Sequence, residues 1–181
     1  TPHTNKAFAI QYLKEFEYLL DFWWNNVTDK SHVFGVLPFV NWMGQMYGIE
    51  KRFEGFPCDA GKDVFVGADG KCYICPEMLG NPKVECGSVS EGINLEKMRK
   101  LVSPMKNCLE CEFFPYCGGR CLRMHIEFPE NHKRTYCEIT KRSIEMFRER
   151  IAEYSYADLS KSVKVQLENL LKFTSLCEKV P

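Results

Sequence analysis

Cysteines in the middle of the chain are the residues whose type and spacing most clearly indicate chemistry. The segment CLECEFFPYCGGRC, residues 108–121, holds four of them beside a Gly-Gly pair. Cys58 and Cys75 lie upstream, and fifteen residues separate Cys121 from Cys137. Thiols gathered in this way can form disulfides, bind zinc or hold an iron–sulfur cluster. Both metal options favour a C-x2-C turn, because a tight turn aims two sulfur atoms at one metal centre.

The cysteine count and the composition favour metal-bound thiolates over a disulfide framework. The chain has ten cysteines in 181 residues, nine of them between Cys58 and Cys137, whereas disulfide frameworks mostly serve short secreted chains. The opening residues lack the apolar core of a signal peptide, so we expect a reducing, cytoplasmic setting. No apolar run is long enough to predict a membrane span. Since 24 basic and 24 acidic residues cancel, no nucleic-acid partner is expected.

Seven well-spaced cysteines suit two metal centres better than one, because one zinc ion takes four ligands. Glycine beside a ligand, here Gly118 and Gly119, lets the backbone pass close to a bulky cluster and offer N–H groups to its sulfur atoms. The spacing therefore favours iron–sulfur clusters, while zinc stays a physical alternative. The cysteine spacing leaves two other functions open: a zinc-binding protein-interaction module and a stand-alone electron-transfer protein.

The elements expected to position these cysteines are a small hairpin and flanking helices. Asp-Gly between two apolar runs predicts a β-hairpin with strands near 63–67 and 71–75. A short helix is predicted over 94–102, whereas 108–137 is rich in turns and has too little periodicity for regular structure throughout. Apolar stripes at helical spacing predict one N-terminal and two C-terminal amphipathic helices. The stripes are Phe8, Tyr12, Phe16, Leu19 and Trp23, then Ile144, Phe147, Ile151 and Tyr154, then Leu159, Val163, Leu167 and Leu170.

The apolar segment 31–48 has two open interpretations. With Trp42 and Met43 it is equally compatible with the core of this domain and with an interface to further structure. Together these elements predict an α+β fold, in which a small β-hairpin and a cysteine-rich loop core surround two iron–sulfur clusters between N-terminal and C-terminal helices.

The full cysteine pattern resembles a known family signature. The order C-x(9–15)-G-x4-C, C-x2-C-x5-C-x3-C and a final C is similar to the seven-cysteine signature of the SPASM domain, with Gly70 as the glycine. The segments DGKCYIC, GNPKVECGSVSEG and CGGRC also resemble that family. SPASM domains extend many radical S-adenosylmethionine enzymes that modify peptides and proteins. The resemblance implies a SPASM domain over 53–145, an N-terminal helical segment over 1–52 as a barrel tail or linker, and C-terminal helices over 146–181.

The resemblance implies two interleaved ligand sets, each holding one auxiliary 4Fe–4S cluster. The first set is Cys58, Cys75 and Cys121. The second set is Cys108, Cys111, Cys117 and Cys137. Because the sets interleave, neither site closes until the hairpin and the cysteine-rich loop have docked. Metal binding should therefore supply much of the folding free energy of this region.

The fourth ligand of the first cluster is open. Some relatives carry an additional cysteine about six residues before the first of the seven, where this chain has Arg52 and no thiol. Either an iron stays open for substrate, or Cys72 or Cys86 contributes a ligand. Strand alternation predicts that Cys72 faces away from Cys75. The alternative for Cys72 and Cys86 is a small buried apolar residue.

Other residues near the ligands have weaker claims to a role. Cys177 is predicted to be structural. His125 could ligate a metal, although a core or solvated histidine fits equally. Basic side chains near the cysteines would stabilise a negatively charged cluster and raise its reduction potential, unless they simply form a solvated helix face. They are Arg120, Arg123, Lys133, Arg134, Lys141 and Arg142.

One motif of the parent enzymes does not occur in this sequence. The C-x3-C-x2-C motif that binds the catalytic cluster is absent, so S-adenosylmethionine chemistry is expected only in a separate catalytic domain. The resemblance implies an auxiliary electron-transfer or substrate-binding domain of an oxidoreductase that matures ribosomal peptides or proteins by post-translational modification. Pro76 stands where sulfatase-maturing relatives have Asp, which favours peptide maturases. This chain is not expected to be active alone.

Overall fold

The computed structural model describes residues 6–58 and 60–174. Helices and a small antiparallel sheet make up the structure, which confirms the predicted α+β class. The chain divides into two compact units. Residues 6–52 and 129–174 form the helical unit, and residues Phe53–Phe128 form the cysteine unit. In the described residues, no helix has the length and apolar character needed to cross a bilayer.

Four helices build the helical unit, as far as the structure describes it. They are α1 (Lys6–Asp29), α2 (Phe39–Met46), α7 (Glu130–Ile151) and α8 (Lys161–Thr174). At the start of α7, Pro129 occupies the N-cap and Glu130 the first turn, while Arg148 and Arg150 lie in the last turn. This order of charges suits the helix dipole. A short 3-10 turn, Tyr156–Asp158, precedes α8.

The core of the helical unit is aromatic. Phe147 of α7 is fully buried and lies against the rings of Trp23, Phe39 and Trp42, at centroid distances of 5.9, 5.6 and 5.7 Å. The burial of Trp42 and Met43 makes segment 31–48 part of this core. The predicted N-terminal helix is confirmed, but one member of its stripe is wrong. Leu19 is 42% exposed and Leu20 is buried in its place, because the centre of the apolar face is rotated toward Leu20.

A four-stranded antiparallel sheet lies in the described part of the cysteine unit. Its strands are β1 (Phe65–Val66), β2 (Lys71–Tyr73), β3 (Glu85–Ser88) and β4 (Gly92–Ile93), in that spatial order. The predicted hairpin is confirmed: Phe65 pairs with Tyr73, and Val66 with Cys72. Asp69 accepts hydrogen bonds from the Lys71 N–H at 3.1 Å and from the Tyr73 hydroxyl at 2.6 Å. The turn is thereby fixed from both sides.

Short helices complete the cysteine unit. They are α3 (Leu95–Leu101), α4 (Lys106–Leu109), α5 (Phe114–Cys117) and α6 (Leu122–Glu127), with 3-10 turns at Pro76–Met78 and Pro82–Val84. The predicted helix over 94–102 is α3, which Asn94 caps by accepting from the Lys97 N–H at 2.8 Å. Segment 108–137 is more regular than predicted, because α7 already begins at Glu130. The predicted boundary at residue 145 lies inside α7.

Candidate metal centres

The three cysteines of the proposed first set lie at the ends of elements in the cysteine unit. Cys75 follows β2 and is the N-cap residue of the turn Pro76–Met78. Cys121 is the N-cap residue of α6, and Cys58 lies in a turn. Unpaired backbone N–H groups collect at such N-termini. Both N-cap cysteines therefore stand where partial positive charge can act on a sulfur atom.

The thiols of the first set influence one another electrostatically. Although Cys58 is an exposed residue, partial burial of its thiol is the main cause that raises its pKa, and the negative charges of Cys121 and Cys75 raise it further. Burial also raises the pKa of Cys75, with Cys121 as a further cause. These influences connect cysteines that are far apart in sequence, from three separate segments of the cysteine unit.

Hydrogen bonds from backbone N–H groups partly offset these increases in the pKa values of Cys58 and Cys75. The Ala60 N–H lowers the pKa of Cys58, and the N–H groups of Glu77 and Met78 lower that of Cys75. Sequence reasoning missed these donors. The signal that could have found them is Pro76 directly after Cys75, because proline at the first position of a helical turn leaves the following N–H groups free to face the cap residue.

The Gly-Gly pair connects the first set to the cysteine-rich loop. Gly118 has φ of +58°, and a Cβ built on it would lie 2.5 Å from the Gly55 carbonyl oxygen and 3.0 Å from the Pro57 ring. The Phe53 N–H also donates to the Pro115 carbonyl oxygen at 2.8 Å. Glycine is needed at 118 because the segment that leads to Cys58, including Gly55 and Pro57, packs directly against it.

Three cysteines of the proposed second set surround the same loop. The Gly119 N–H donates to the Cys117 sulfur at 3.4 Å. A Cβ built on Gly119 would lie 3.9 Å from the Cys108 sulfur. A turn closes the C-x2-C segment, since the Cys111 N–H donates to the Cys108 carbonyl oxygen at 3.0 Å. Cys108 and Cys117 are thus placed around one glycine, with Cys111 on the adjoining turn.

The remaining proposed ligand, Cys137, belongs to the helical unit. It is an exposed residue of α7. Cys177 lies outside the described residues.

Cys72 and Cys86 are buried in the same apolar cluster as Cys75. They pack in one apolar cluster and are 3% and 0% exposed. The register of β2 and β3 shifts between Cys72 and Tyr73, so Cys86 sits at a bulge. Burial is the main cause that raises the pKa of Cys86, and the negative charge of Cys72 raises it further. Their surroundings fit small apolar core residues, and the fourth ligand of the first set stays a prediction.

The His125 side chain contacts the Gly-Gly turn of the cysteine-rich loop. Its ring lies 5.6 Å from that of Phe56, and its Nε2 atom donates to the Gly119 carbonyl oxygen in a short hydrogen bond. This contact holds α6 against the Gly-Gly turn. A role for His125 as a metal ligand stays untested.

Of the six basic residues expected near the ligands, two lie in the cysteine unit. Arg120 has φ of +68° and continues the left-handed run of Gly118 and Gly119. Arg123, on α6, forms ion pairs with Glu127 at 2.7 Å and with Glu77 at 3.9 Å. The other four lie on α7 of the helical unit; they are Lys133, Arg134, Lys141 and Arg142.

The proposed ligands are all cysteines, which suits thiolate ligation of a metal. Their side chains are not arranged around one point as a single metal ion would require. Among the described residues, no group of three His, Cys, Asp or Glu side chains has the arrangement that one metal ion requires. Neighbouring thiols, backbone N–H groups and a glycine-lined loop are features that thiolate-bound clusters use. The residues therefore fit a cluster by their chemistry.

Comparisons of the chain with models of known protein families, with curated proteins and with solved structures found no match. The resemblance to SPASM domains accordingly rests on cysteine spacing and motif residues.

Proposed function

We propose that this chain is an auxiliary domain that binds two 4Fe–4S clusters and serves a radical S-adenosylmethionine maturase acting on a ribosomal peptide or protein. One observation supports the proposal: Cys58, Cys75 and Cys121 come from three separate segments, yet the charges of Cys121 and Cys75 raise the pKa of Cys58, and the charge of Cys121 raises the pKa of Cys75. The seven-cysteine spacing supports the same assignment. The compartment would be the cytoplasm, where thiols stay reduced.

Each proposed ligand has a defined task. Cys58, Cys75 and Cys121 would hold the first cluster, and the second set is Cys108, Cys111, Cys117 and Cys137. Clusters of this kind supply electron transfer or a binding point for substrate. The chain itself orients the sulfur atoms through the turn Pro76–Met78 and through the Gly118 contact. A fourth position left open at the first cluster would accept a group of the peptide substrate.

Iron and sulfide analysis of protein reconstituted without oxygen tests the assignment. We expect about eight iron and about eight sulfide per chain, the content of two 4Fe–4S clusters. Cys121→Ala should lose about half of both, and Cys111→Ala should lose the other half. Cys177→Ser is the matched control, because it removes a cysteine outside both sets and should keep the full content.

The same measurement separates the alternatives. One or two zinc ions with no sulfide would overturn the proposal in favour of a zinc-binding interaction module. Full clusters that reduce reversibly but show no response to a substrate peptide would indicate a stand-alone electron-transfer protein. Activity should require a separate catalytic domain that carries C-x3-C-x2-C, since this chain alone lacks that motif.

A further inference from the structure

The last strand of the sheet in the cysteine unit has a free edge. β4 pairs with β3 on one side and ends the spatial order of the strands. Ile93 lies opposite Gly87, and the next residue, Asn94, donates its N–H to the Cys86 carbonyl oxygen at 2.7 Å. In an antiparallel pair, opposed residues that exchange hydrogen bonds alternate with opposed residues that do not. The N–H and C=O groups of Ile93 therefore point away from β3, toward the free edge.

A groove of about 430 Å³ lies at this edge. Its lining includes Ile93 and three charged side chains, Glu85, Glu91 and Lys97. Ile93 is 39% exposed, and Leu95, two residues along the chain, is 55% exposed. Aliphatic surface thus lies close to the outward backbone groups of β4, which is the combination that an added strand requires.

The charges that line the groove differ in how they are compensated. Glu85 forms an ion pair with Lys71 at 2.7 Å. The Glu91 carboxylate accepts from the Ser88 hydroxyl at 3.4 Å, but neither Glu91 nor Lys97 forms an ion pair with a described residue. Along the chain, an unpaired anion therefore stands just before β4 and an unpaired cation just after it.

Local contacts hold the edge in place before any partner binds. A Cβ built on Gly87 would lie 2.1 Å from the Gly92 carbonyl oxygen, so β3 and β4 approach closely. The Lys97 N–H donates to the Asn94 side chain at 2.8 Å, which fixes the Lys97 backbone beyond the end of β4. A preformed edge loses little conformational freedom when a strand is added to it.

We propose that the free edge of β4 docks an extended peptide segment, which adds to the sheet as a further antiparallel strand with an acidic side chain near Lys97 and a basic one near Glu91. Antiparallel addition matches the described sheet, and antiparallel pairs are the more stable per residue. Such a strand begins beside the end of β4, so its acidic residue precedes its basic one. The inference goes beyond the proposed function and requires no metal.

Titration of a labelled synthetic peptide tests the inference. The probe is a short peptide of alternating valine and threonine, with glutamate at its N-terminal end, lysine at its C-terminal end and both termini blocked. Fluorescence anisotropy with the full chain, kept without oxygen, should show saturable binding that weakens as salt rises. The matched control peptide has glutamate and lysine exchanged. It should bind roughly tenfold more weakly, because two attractive charge contacts become repulsive.

Charge reversal on the protein separates docking at this edge from general attraction. Lys97→Glu should weaken binding of the original peptide, and replacing the glutamate of the peptide by lysine should restore it. Lys106→Glu is the matched control, because Lys106 is an exposed residue of α4 outside the groove. This variant should keep the wild-type affinity and the wild-type preference between the two peptides.

N-methylated peptides report on backbone pairing, which a purely electrostatic contact would not need. Alternate N–H groups of a strand face the neighbouring strand. Methylating the amide nitrogens of the probe one at a time should therefore abolish binding at every second position and spare the positions between them.

Three results would overturn the inference. They are the absence of saturable binding, equal affinity for the two charge orders, and losses on N-methylation that do not alternate. Pairing of this edge with a second copy of the chain would also overturn it, and sedimentation would show that as a dimer that Lys97→Glu dissociates. Iron and sulfide analysis of the same sample tests the proposed function separately, so failure of one is distinguishable from failure of the other.

Discussion

The two units of this chain are stabilised in different ways. The helical unit contains helices of 24 and 22 residues, α1 and α7, and packs Phe147 among the rings of Trp23, Phe39 and Trp42. The cysteine unit has helices of four to seven residues and strands of two to four. Of the described residues, none in α3 or α4 is buried.

The two units also differ in the residues that fill their cores. In the main apolar cluster of the cysteine unit, three of the nine buried residues are cysteines, namely Cys72, Cys75 and Cys86. Cysteine buries less apolar surface than the large aromatic residues that fill the other core. Burial alone therefore stabilises the helical unit more strongly. If the proposed clusters bind, ligation would add stability to the cysteine unit, whereas the packing of the helical unit does not call for it.

The largest effect expected from this contrast is selective unfolding when metal is removed. Extracting iron from reconstituted protein should strongly reduce amide protection across 53–128, because short elements around one apolar cluster hold this region less firmly than the long helices hold the other unit. Protection of α1 and α7 should persist. Hydrogen exchange read by mass spectrometry gives both results in one experiment, and mock-treated protein kept without oxygen is the control. Equal loss of protection in both units would contradict the contrast.

Removing a ring from the aromatic core should produce the next largest effect. Phe147→Ala should lower the free energy of unfolding of the helical unit by about 3–5 kcal/mol, since it opens a cavity at a fully buried position. All three tryptophans of the chain, Trp23, Trp24 and Trp42, belong to this unit. Denaturant titration followed by tryptophan emission therefore reports on the helical unit.

Tyr18→Ala is the matched control for Phe147→Ala. Tyr18 lies on α1 in the same unit and is 74% exposed, so its truncation should change the unfolding free energy by less than about 0.5 kcal/mol. Equal effects of the two truncations would show that the aromatic core does not hold this unit.

Sequence periodicity predicted the helical unit better than the cysteine unit. Long apolar stripes located α1 and α7, and the error at Leu19 is a rotation within a correctly predicted helix. Glu130 to Cys137 was missed as helix because few apolar residues mark the first two turns of α7. In the cysteine unit, Asp-Gly located the hairpin, since that turn is encoded locally.

The site was predictable as a set of sulfur ligands and unpredictable in its polar surroundings. Spacing named the cysteines, but the ion pair between Glu77 and Arg123 depends on where α6 packs. The reason for Gly118 was also incomplete. The sequence suggested space for a cluster, whereas the structure shows close approach of Gly55 and Pro57. Such contacts join segments more than forty residues apart, and no local pattern encodes them.

The smallest expected effect comes from disturbing the close contact of Gly118 with Gly55 and Pro57 in the cysteine unit. Gly118→Ala adds a Cβ that would lie 2.5 Å from the Gly55 carbonyl oxygen, at a φ of +58°. Gly80→Ala is the matched control, because Gly80 has φ of +85° with no atom within 4 Å of an added Cβ. Both variants carry the cost of a left-handed alanine, about 1–2 kcal/mol.

The difference between these two variants isolates the contact. We expect Gly118→Ala to destabilise the loaded cysteine unit by roughly 1–3 kcal/mol more than Gly80→Ala, because atoms must move apart in addition to the backbone strain. Denaturant titration followed by cluster absorbance measures this unit, since the tryptophans lie in the other one. Equal destabilisation by the two variants would mean that the segment leading to Cys58 can retreat from the loop without cost. The short elements of the cysteine unit would then rest on their apolar cluster and on the proposed ligands, without help from this contact.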